Sequence, residues 1–430
     1  MKRRGYLLQR AYWRNRIYPH LTRYVIRPSV DFRGLPLVAI TGTSGKTSTT
    51  LLVERILRDA GYSTACSSSE GVMVKGNWVK RGDEAGAKGL WRASRSRGVE
   101  VLVAETARGG IVRNGLAFSS CDVSVVTSLY EDHLSAGRVA SVEEMAEVKS
   151  ILPRSTRPNG TAVLNLDHPL IRGMAERTRA RVVFFSLSDP PDAVENCFFL
   201  RDGTIFRKRG AVREPLLSTD AIFISHGGAV TFQVANAMAA MAAIEGLQTK
   251  LPVARSSLER TLAAFGREPT DLPLRFQLFH YRGADILLCD TKNPASYELE
   301  VPLIRRLIRA HGYRRIVGVV TDVGNRAEDR YHQISRAVAS VADLVVCVPP
   351  LEKYLRGRTA DEMVRLLGSE VPAEKLVHPL DPSLDGVLEH FRQDGYERTL
   401  FVGFASQHFG ADTTDDILER GERLPIRFDP

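Results

Sequence analysis

The chain has 430 residues, too many for one compact core, so two or three domains are expected. Hydrophobic residues make up 43% and charged residues 25%, the balance of a globular protein, and no apolar run approaches the ~20 residues that a bilayer-spanning helix needs. The net charge of +9 is concentrated at one end: residues 1–35 carry nine Lys and Arg against Asp31 alone, which is +8 of the total.

In that basic arm Leu7, Leu8, Trp13, Ile17, Leu21 and Tyr24 fall at partly helical spacing, interrupted by Pro19 and ending before Pro28. Two readings stay open. The helix packs its apolar stripe on the body with its arginines solvated, or it makes peripheral contact with a membrane surface, RNA, an acidic polymer or an acidic partner. The first residues lack the apolar core and cleavage site of a secretory signal. The five cysteines (Cys66, Cys121, Cys197, Cys289, Cys347) are widely spaced, which fits buried reduced thiols in a cytoplasmic protein.

From Leu37 onward apolar runs of β type alternate with helical patterns, the signature of an α/β fold with a mostly parallel sheet. Strands are expected at Leu37–Thr41, Glu100–Glu105, Val123–Thr127, Thr161–Asn165 and Val182–Phe185, then a hairpin over Phe198–Arg213 turning at Asp202-Gly203. An Ala-rich helix is expected at Val234–Ile244. The segment Phe265–Pro273 mixes Gly, Pro and charge and reads as an interdomain hinge. A second α/β pattern follows: Ile286–Cys289, a helix over Glu298–Ala310, then Ile316–Thr321, Leu344–Val348 and Phe401–Phe404.

The stretch Ala39–Thr47 carries the sharpest chemistry. An apolar strand ends at Ile40, Gly42, Thr43, Ser44 and Gly45 make a tight turn, and Lys46-Thr47 open a helix running through Leu51, Leu52 and Ile56. Glycines let backbone N–H groups approach phosphate oxygens, and the helix N-terminus adds a positive dipole end. Lys46 can reach terminal phosphates and the Thr47 hydroxyl can ligate Mg2+. The spacing Gly-x-x-Gly-Lys-Thr is two residues shorter than the general phosphate-loop rule, and ATP or a close relative is the expected ligand.

Two more polar clusters end strands, where open α/β sheets place ligands. One is Glu105-Thr-Ala-Arg108-Gly-Gly110; the other is Glu131-Asp132-His133. Glu105 and His133 are candidates to complete the coordination of magnesium, against the bland alternatives of an ion pair for Glu105 and a turn cap for His133. Lys149 closes an amphipathic helix from Val142, and pattern alone expects it to be solvated. Asp290 and Lys292 follow the strand at Ile286–Cys289, and Arg275 stands beside the hinge within reach of a phosphate.

With these segments in place, the chain resembles the Mur ligase family and, more narrowly, the Mur-ligase half of cyanophycin synthetases. That half has Gly-Thr-x-Gly-Lys-Thr, Glu-Thr-Ala-Arg-Gly-Gly-Ile and Glu-Asp-His-Leu, matched here by Gly42–Thr47, Glu105–Ile111 and Glu131–Leu134. Further matches are Val148-Lys149-Ser150, Thr161–Asn165 before Asp167, His226–Gly228, Phe232–Val234, Asn236-Ala237, Gly324–Arg326 and Arg356–Arg358, so the likeness runs over about residues 36–410. It implies three parts: a basic arm (1–35), a central P-loop ATP-binding domain (36–268) and a Rossmann-like C-terminal domain (269–430).

The resemblance also implies an ATP-dependent carboxylate–amine ligase working through an acyl phosphate, with an amino acid or other amine as one substrate and a carboxylate on a peptide, polymer or metabolite as the other. It implies Lys46 on the β/γ-phosphates, with Thr47, Glu105 and His133 holding one or two Mg2+ ions. Lys149 matches a lysine carbamylated in many members. Asn236 is implied at the adenine, and Arg275 and Asp290 at the nucleotide. No nucleic-acid partner is implied.

Two departures qualify it. The motif Asp290-Thr-Lys-Asn-Pro294 stands where many relatives have Asp-Tyr-Ala-His-Asn-Pro, and Lys292 is similar to the Asp-Ser-Lys motif of the D-glutamate-adding muramyl ligase. The ATP-grasp half of cyanophycin synthetase has only the short arm in its place, so a separate ATP-grasp partner enters the expectations. A poly-γ-glutamate-type ligase and a non-catalytic nucleotide-binding subunit recruited through the arm are the competing expectations.

Overall fold

The computed structural model describes residues 34–130, 141–268, 271–272, 275–289, 294–324, 328–381, 383–392, 395–404 and 411–428. The basic arm, His133, Asp290 and Lys292 therefore lie outside the described residues. Those described divide into two compact units, 34–130 with 141–265, and 266–428.

In the first unit eleven described strands form one sheet: β1 (Leu37–Thr41), β2 (Thr64–Ser68), β3 (Gly71–Val74), β4 (Asn77–Arg81), β5 (Val101–Glu105), β6 (Cys121–Val126), β7 (Thr156–Asn165), β8 (Arg181–Ser186), β9 (Asn196–Arg201), β10 (Thr204–Arg209) and β11 (Val212–Ser218). Their order is β11-β10-β9-β8-β7-β6-β1-β5-β2-β3-β4. The centre is parallel, with β1 paired to β5 on one side and β6 on the other, while both margins end in antiparallel hairpins. β1, β5 and β6 are buried along their whole lengths, and β1 and β5 accordingly read as near-continuous apolar runs. The Asp202-Gly203 turn has positive φ at both residues, as a two-residue hairpin turn requires.

The longer described helices of this unit are α1 (Lys46–Asp59), α2 (Ala87–Ser94), α3 (Arg108–Asn114), α4 (Val142–Lys149), α5 (Thr231–Leu247) and α6 (Arg255–Ala264). α5 is apolar almost all round and correspondingly buried. Its small side chains permit close approach to the sheet, so that a Cβ on Gly246 would meet Thr161 and Val123 at 2.9 Å.

The expected strands are all present; β1 has the expected bounds, and the others are shortened, extended or shifted at an end, at most by the five residues added before Thr161 in β7. The hairpin β3–β4, with strand β2 before it, is an addition: Thr64–Ser68 is small and polar in sequence yet fully buried.

The second unit holds a seven-stranded sheet in the order β16-β15-β14-β17-β13-β12-β18. Its strands are β12 (Gln277–Tyr281), β13 (Ala284–Cys289), β14 (Arg315–Val320), β15 (Leu344–Cys347), β16 (Leu376–Val377), β17 (Thr399–Phe404) and β18 (Glu422–Arg423). β13 to β17 are mutually parallel where they pair, and α7 (Pro294–His311) and α8 (Glu328–Ala339) connect the first of them. Phe279, Leu288, Val317 and Phe401 share its core.

Among the described residues, no helix is long and apolar enough to cross a membrane. All five cysteines are free and buried.

Candidate active site

The carboxyl ends of β1, β5 and β6 meet at the centre of the first sheet, and the strand order places β1 where the chain turns to either side, the position at which such sheets bind ligands. Gly45 caps α1 with φ +83°, a left-handed conformation that glycine adopts without penalty. No side chain caps α1. The N–H groups of its first turn therefore lack intrahelical acceptors and face outward. Gly42 is needed for space: a Cβ there would lie 1.9 Å from Thr127 Oγ1.

The loop is braced from elements distant in sequence. Thr43 N–H donates to the Ser128 carbonyl at 2.9 Å and Ser44 N–H to Ser128 Oγ at 2.8 Å. The Ser44 carbonyl accepts from Thr127 Oγ1 at 2.6 Å and Ser128 Oγ at 3.0 Å. Asn236 on α5 lies against the loop, its Oδ1 2.3 Å from where a Cβ on Gly45 would stand, and its amide donates to Gln233 Oε1 at 3.1 Å.

Lys149, expected to be solvated, is instead 1% exposed and donates from Nζ to the Gly42 carbonyl at 2.7 Å. The correction has a tertiary cause: α4 ends against the back of the loop, and Lys149, four residues after Met145, lies on the same buried face as Met145 and Val148.

At the front of the loop, β5 delivers Glu105 to the start of α1. Glu105 is 3% exposed; its Oε2 accepts from Thr47 Oγ1 at 2.9 Å and from Ser69 N–H at 3.0 Å, and its Oε1 stands 4.0 Å from Lys46 Nζ. Lys46 Nζ also donates to the Thr43 carbonyl at 2.9 Å. The structure thus brings together Gly42, Thr43, Ser44, Gly45, Lys46, Thr47, Glu105, Lys149 and Asn236. Arg275 belongs to the second unit, half-buried just before β12.

Sequence reasoning missed Ser69, whose hydroxyl lies 3.0 Å from Thr47 Oγ1, together with Thr127 and Ser128. The Thr-Ser pair ending β6 was a visible signal for the latter; for Ser69 only the run Ser67-Ser68-Ser69 hinted at a tight strand exit.

The front of the loop suits a hard cation. Thr47 and Glu105 supply a hydroxyl and a carboxylate, the oxygen donors that Mg2+ prefers. Among the described residues no three acidic, histidine or cysteine side chains cluster as a metal site, and two protein ligands completed by phosphate oxygens and water are usual for this ion.

Comparison with known proteins gives this geometry a family. Residues 40–244 match the Mur ligase middle domain. The cyanophycin synthetase of Synechocystis sp. is 31% identical over 381 residues, covering 86% of this chain and 42% of that protein. That of Crocosphaera subtropica is 29% identical over 411 residues, covering 92% and 44%. The chain thus spans less than half the length of these relatives.

Among solved structures, a bifunctional folylpolyglutamate synthase/dihydrofolate synthase with Mn, AMPPNP and L-glutamate bound shares the fold at a TM-score of 0.64, with 18% identity over 95% of this chain and 94% of that one. The middle-domain match places residues 40–244 in the Mur ligase family, and the identity to the cyanophycin synthetases runs along most of the chain.

Proposed function

We propose that the chain is an ATP-dependent carboxylate–amine ligase working through an acyl phosphate. A carboxylate oxygen of one substrate attacks the γ-phosphorus of ATP and the β–γ bridging oxygen leaves with ADP. The amine then attacks the acyl carbon, phosphate departs with the C–O bond pair, and the amide nitrogen loses its extra proton. The reaction needs charge neutralisation and alignment more than covalent help.

The observation that carries this reading is the convergence of Lys46, Thr47 and Glu105 at the uncapped start of α1. The first-turn N–H groups and Lys46 would hold the β/γ-phosphates, and Asn236 would meet the adenine. Thr47 and Glu105, with His133, would hold Mg2+, whose charge when bound offsets that of the phosphate oxygens. Lys149 suits carbamylation: the modified nitrogen keeps one N–H for the Gly42 carbonyl while gaining a carboxylate for a second Mg2+. Arg275, Asp290 and Lys292 would act from the C-terminal domain, the first two on nucleotide and Lys292 on the incoming amine. An amino acid or other amine, and a carboxylate on a peptide, polymer or metabolite, complete the reading.

The test is phosphate release that depends on both substrates. Lys46→Ala should abolish it, and persistence of amine-dependent release in that variant would overturn the assignment.

A further inference from the structure

Helix α2 runs outward from the candidate active site. Its start is Gly86, which lines one small cavity together with Ala87, Glu105 and Thr106. It is held there by backbone contact, since a Cβ on Gly89 would lie 2.0 Å from the Glu84 carbonyl oxygen. From that end the outward face presents Lys88, Trp91, Arg92 and Arg95, spaced i, i+3, i+4 and i+7 so that they form one stripe.

The stripe is strongly cationic and carries an aromatic. Trp91 is 38% exposed, and the Arg95 guanidinium lies 4.7 Å from its ring centroid. Buried Glu84 takes Arg92 at 2.6 Å and, from the neighbouring edge strand β4, Lys80 at 2.6 Å. One carboxylate thus offsets two cations. Asp83, the other acid of this segment, accepts from Ala85 N–H at 3.1 Å. Among the described residues no carboxylate pairs with Lys88 or Arg95, the two cations that flank Trp91.

We propose that this stripe is a docking surface for the tail of an acidic peptide or acidic polymer whose reacting carboxylate lies at Glu105 and Lys46. The inference rests on the ligase reading above and specifies its carboxylate substrate. Charge complementarity selects an anion, and continuity with the site selects one that itself ends in a carboxylate. Eight residues of helix span ~12 Å, the length of about four extended residues. Acceptors longer than that gain contacts, and a single amino acid gains none.

The experiment uses the full chain in 0.15 M salt, with fluorescent oligo-glutamates of one to ten residues, and reads both binding and phosphate release. Binding should tighten with length up to about five residues and then level. A Lys88→Glu/Arg95→Glu variant, compared with Trp91→Ala, should lose about tenfold or more in affinity for the long acceptors, with ATP KM and folded-state circular dichroism unchanged. Lys46→Ala should keep the length dependence of oligomer binding while releasing no phosphate. Equal binding by the parent and the charge-reversed variant would overturn the docking surface. Tighter length-dependent binding of oligodeoxythymidine or of anionic vesicles than of oligo-glutamate would overturn the choice of occupant. Length-dependent binding without any phosphate release would sustain the surface and sink the ligase reading instead.

Discussion

Gly45 is constrained in the phosphate loop both by its backbone conformation and by a neighbouring side chain, and its substitution by alanine has two separable costs. The residue sits at φ +83°, where a Cβ is disfavoured by ~1–2 kcal/mol. That Cβ would also stand 2.3 Å from Asn236 Oδ1, so the Asn236 side chain must turn away and give up its bond to Gln233. The lost bond costs about 1 kcal/mol and an off-rotamer side chain a similar amount. Gly45→Ala should therefore destabilise the first unit by about 2–4 kcal/mol. Asn236→Ala alone should cost about 1 kcal/mol.

The double variant should cost less than the two singles together, because the clash has gone and only the left-handed strain remains. Urea unfolding followed by tryptophan fluorescence suits the measurement, since Trp78 and Trp91 both lie in the first unit. Strict additivity, or an unchanged midpoint for Gly45→Ala, would refute the reasoning.

Lys149→Met should keep the helix but leave the Gly42 carbonyl without its buried donor, weakening ADP binding by about tenfold in titration calorimetry while α4 stays folded. Glu84 is held below the usual carboxylate range, burial opposing the shift but outweighed by its bonds to Lys80 and Arg92. Its contribution to stability is therefore full above pH 4.5 and lost as pH falls through the depressed value, so thermal melts of Glu84→Gln should show a shallower acid slope than the parent below pH 4.5.

The sequence displays the core of the site because the chemistry and the packing agree there. β1, β5 and β6 are interior strands; the first two are apolar up to a terminal polar residue, Thr41 and Glu105, while β6 is mainly apolar with Asp122 and Ser124 among its residues and is followed by Thr127. What it hides are contacts set by tertiary position. Thr64–Ser68 shows no apolar alternation, yet β5 and β3 flank it and the whole strand is buried. The Lys75-Gly76 pair, with φ of 51° and 80°, forms the two-residue turn between β3 and β4. Lys149 escapes notice because a lysine is ordinarily solvated even at a position on the buried face, and the carbonyl that takes its charge is 107 residues away in sequence. Ser69 acts through its backbone N–H and a short hydroxyl, and neither carries a pattern.

A four-residue loop has little backbone with which to satisfy itself, and the polar groups of this one are accounted for almost entirely from outside. The Gly42 carbonyl goes to Lys149, that of Thr43 to the Lys46 side chain, that of Ser44 to Thr127 and Ser128, and that of Gly45 to the N–H of Thr49. The N–H groups of Thr43 and Ser44 are both taken by Ser128. Every carbonyl is thereby turned away from the mouth of the loop, leaving the first-turn N–H groups of α1 to face it. The sign of the site follows from this arrangement: positive backbone dipoles and Lys46 at the mouth, with the Glu105 carboxylate at its edge. An anion at the mouth together with a cation at Glu105 satisfies both. The braces come from residues 83 or more positions away in sequence, apart from Lys46 and Thr49. The loop therefore takes its binding shape only when β6 and α4 are in place, which makes anion affinity a sensitive measure of whether the first unit is correctly assembled.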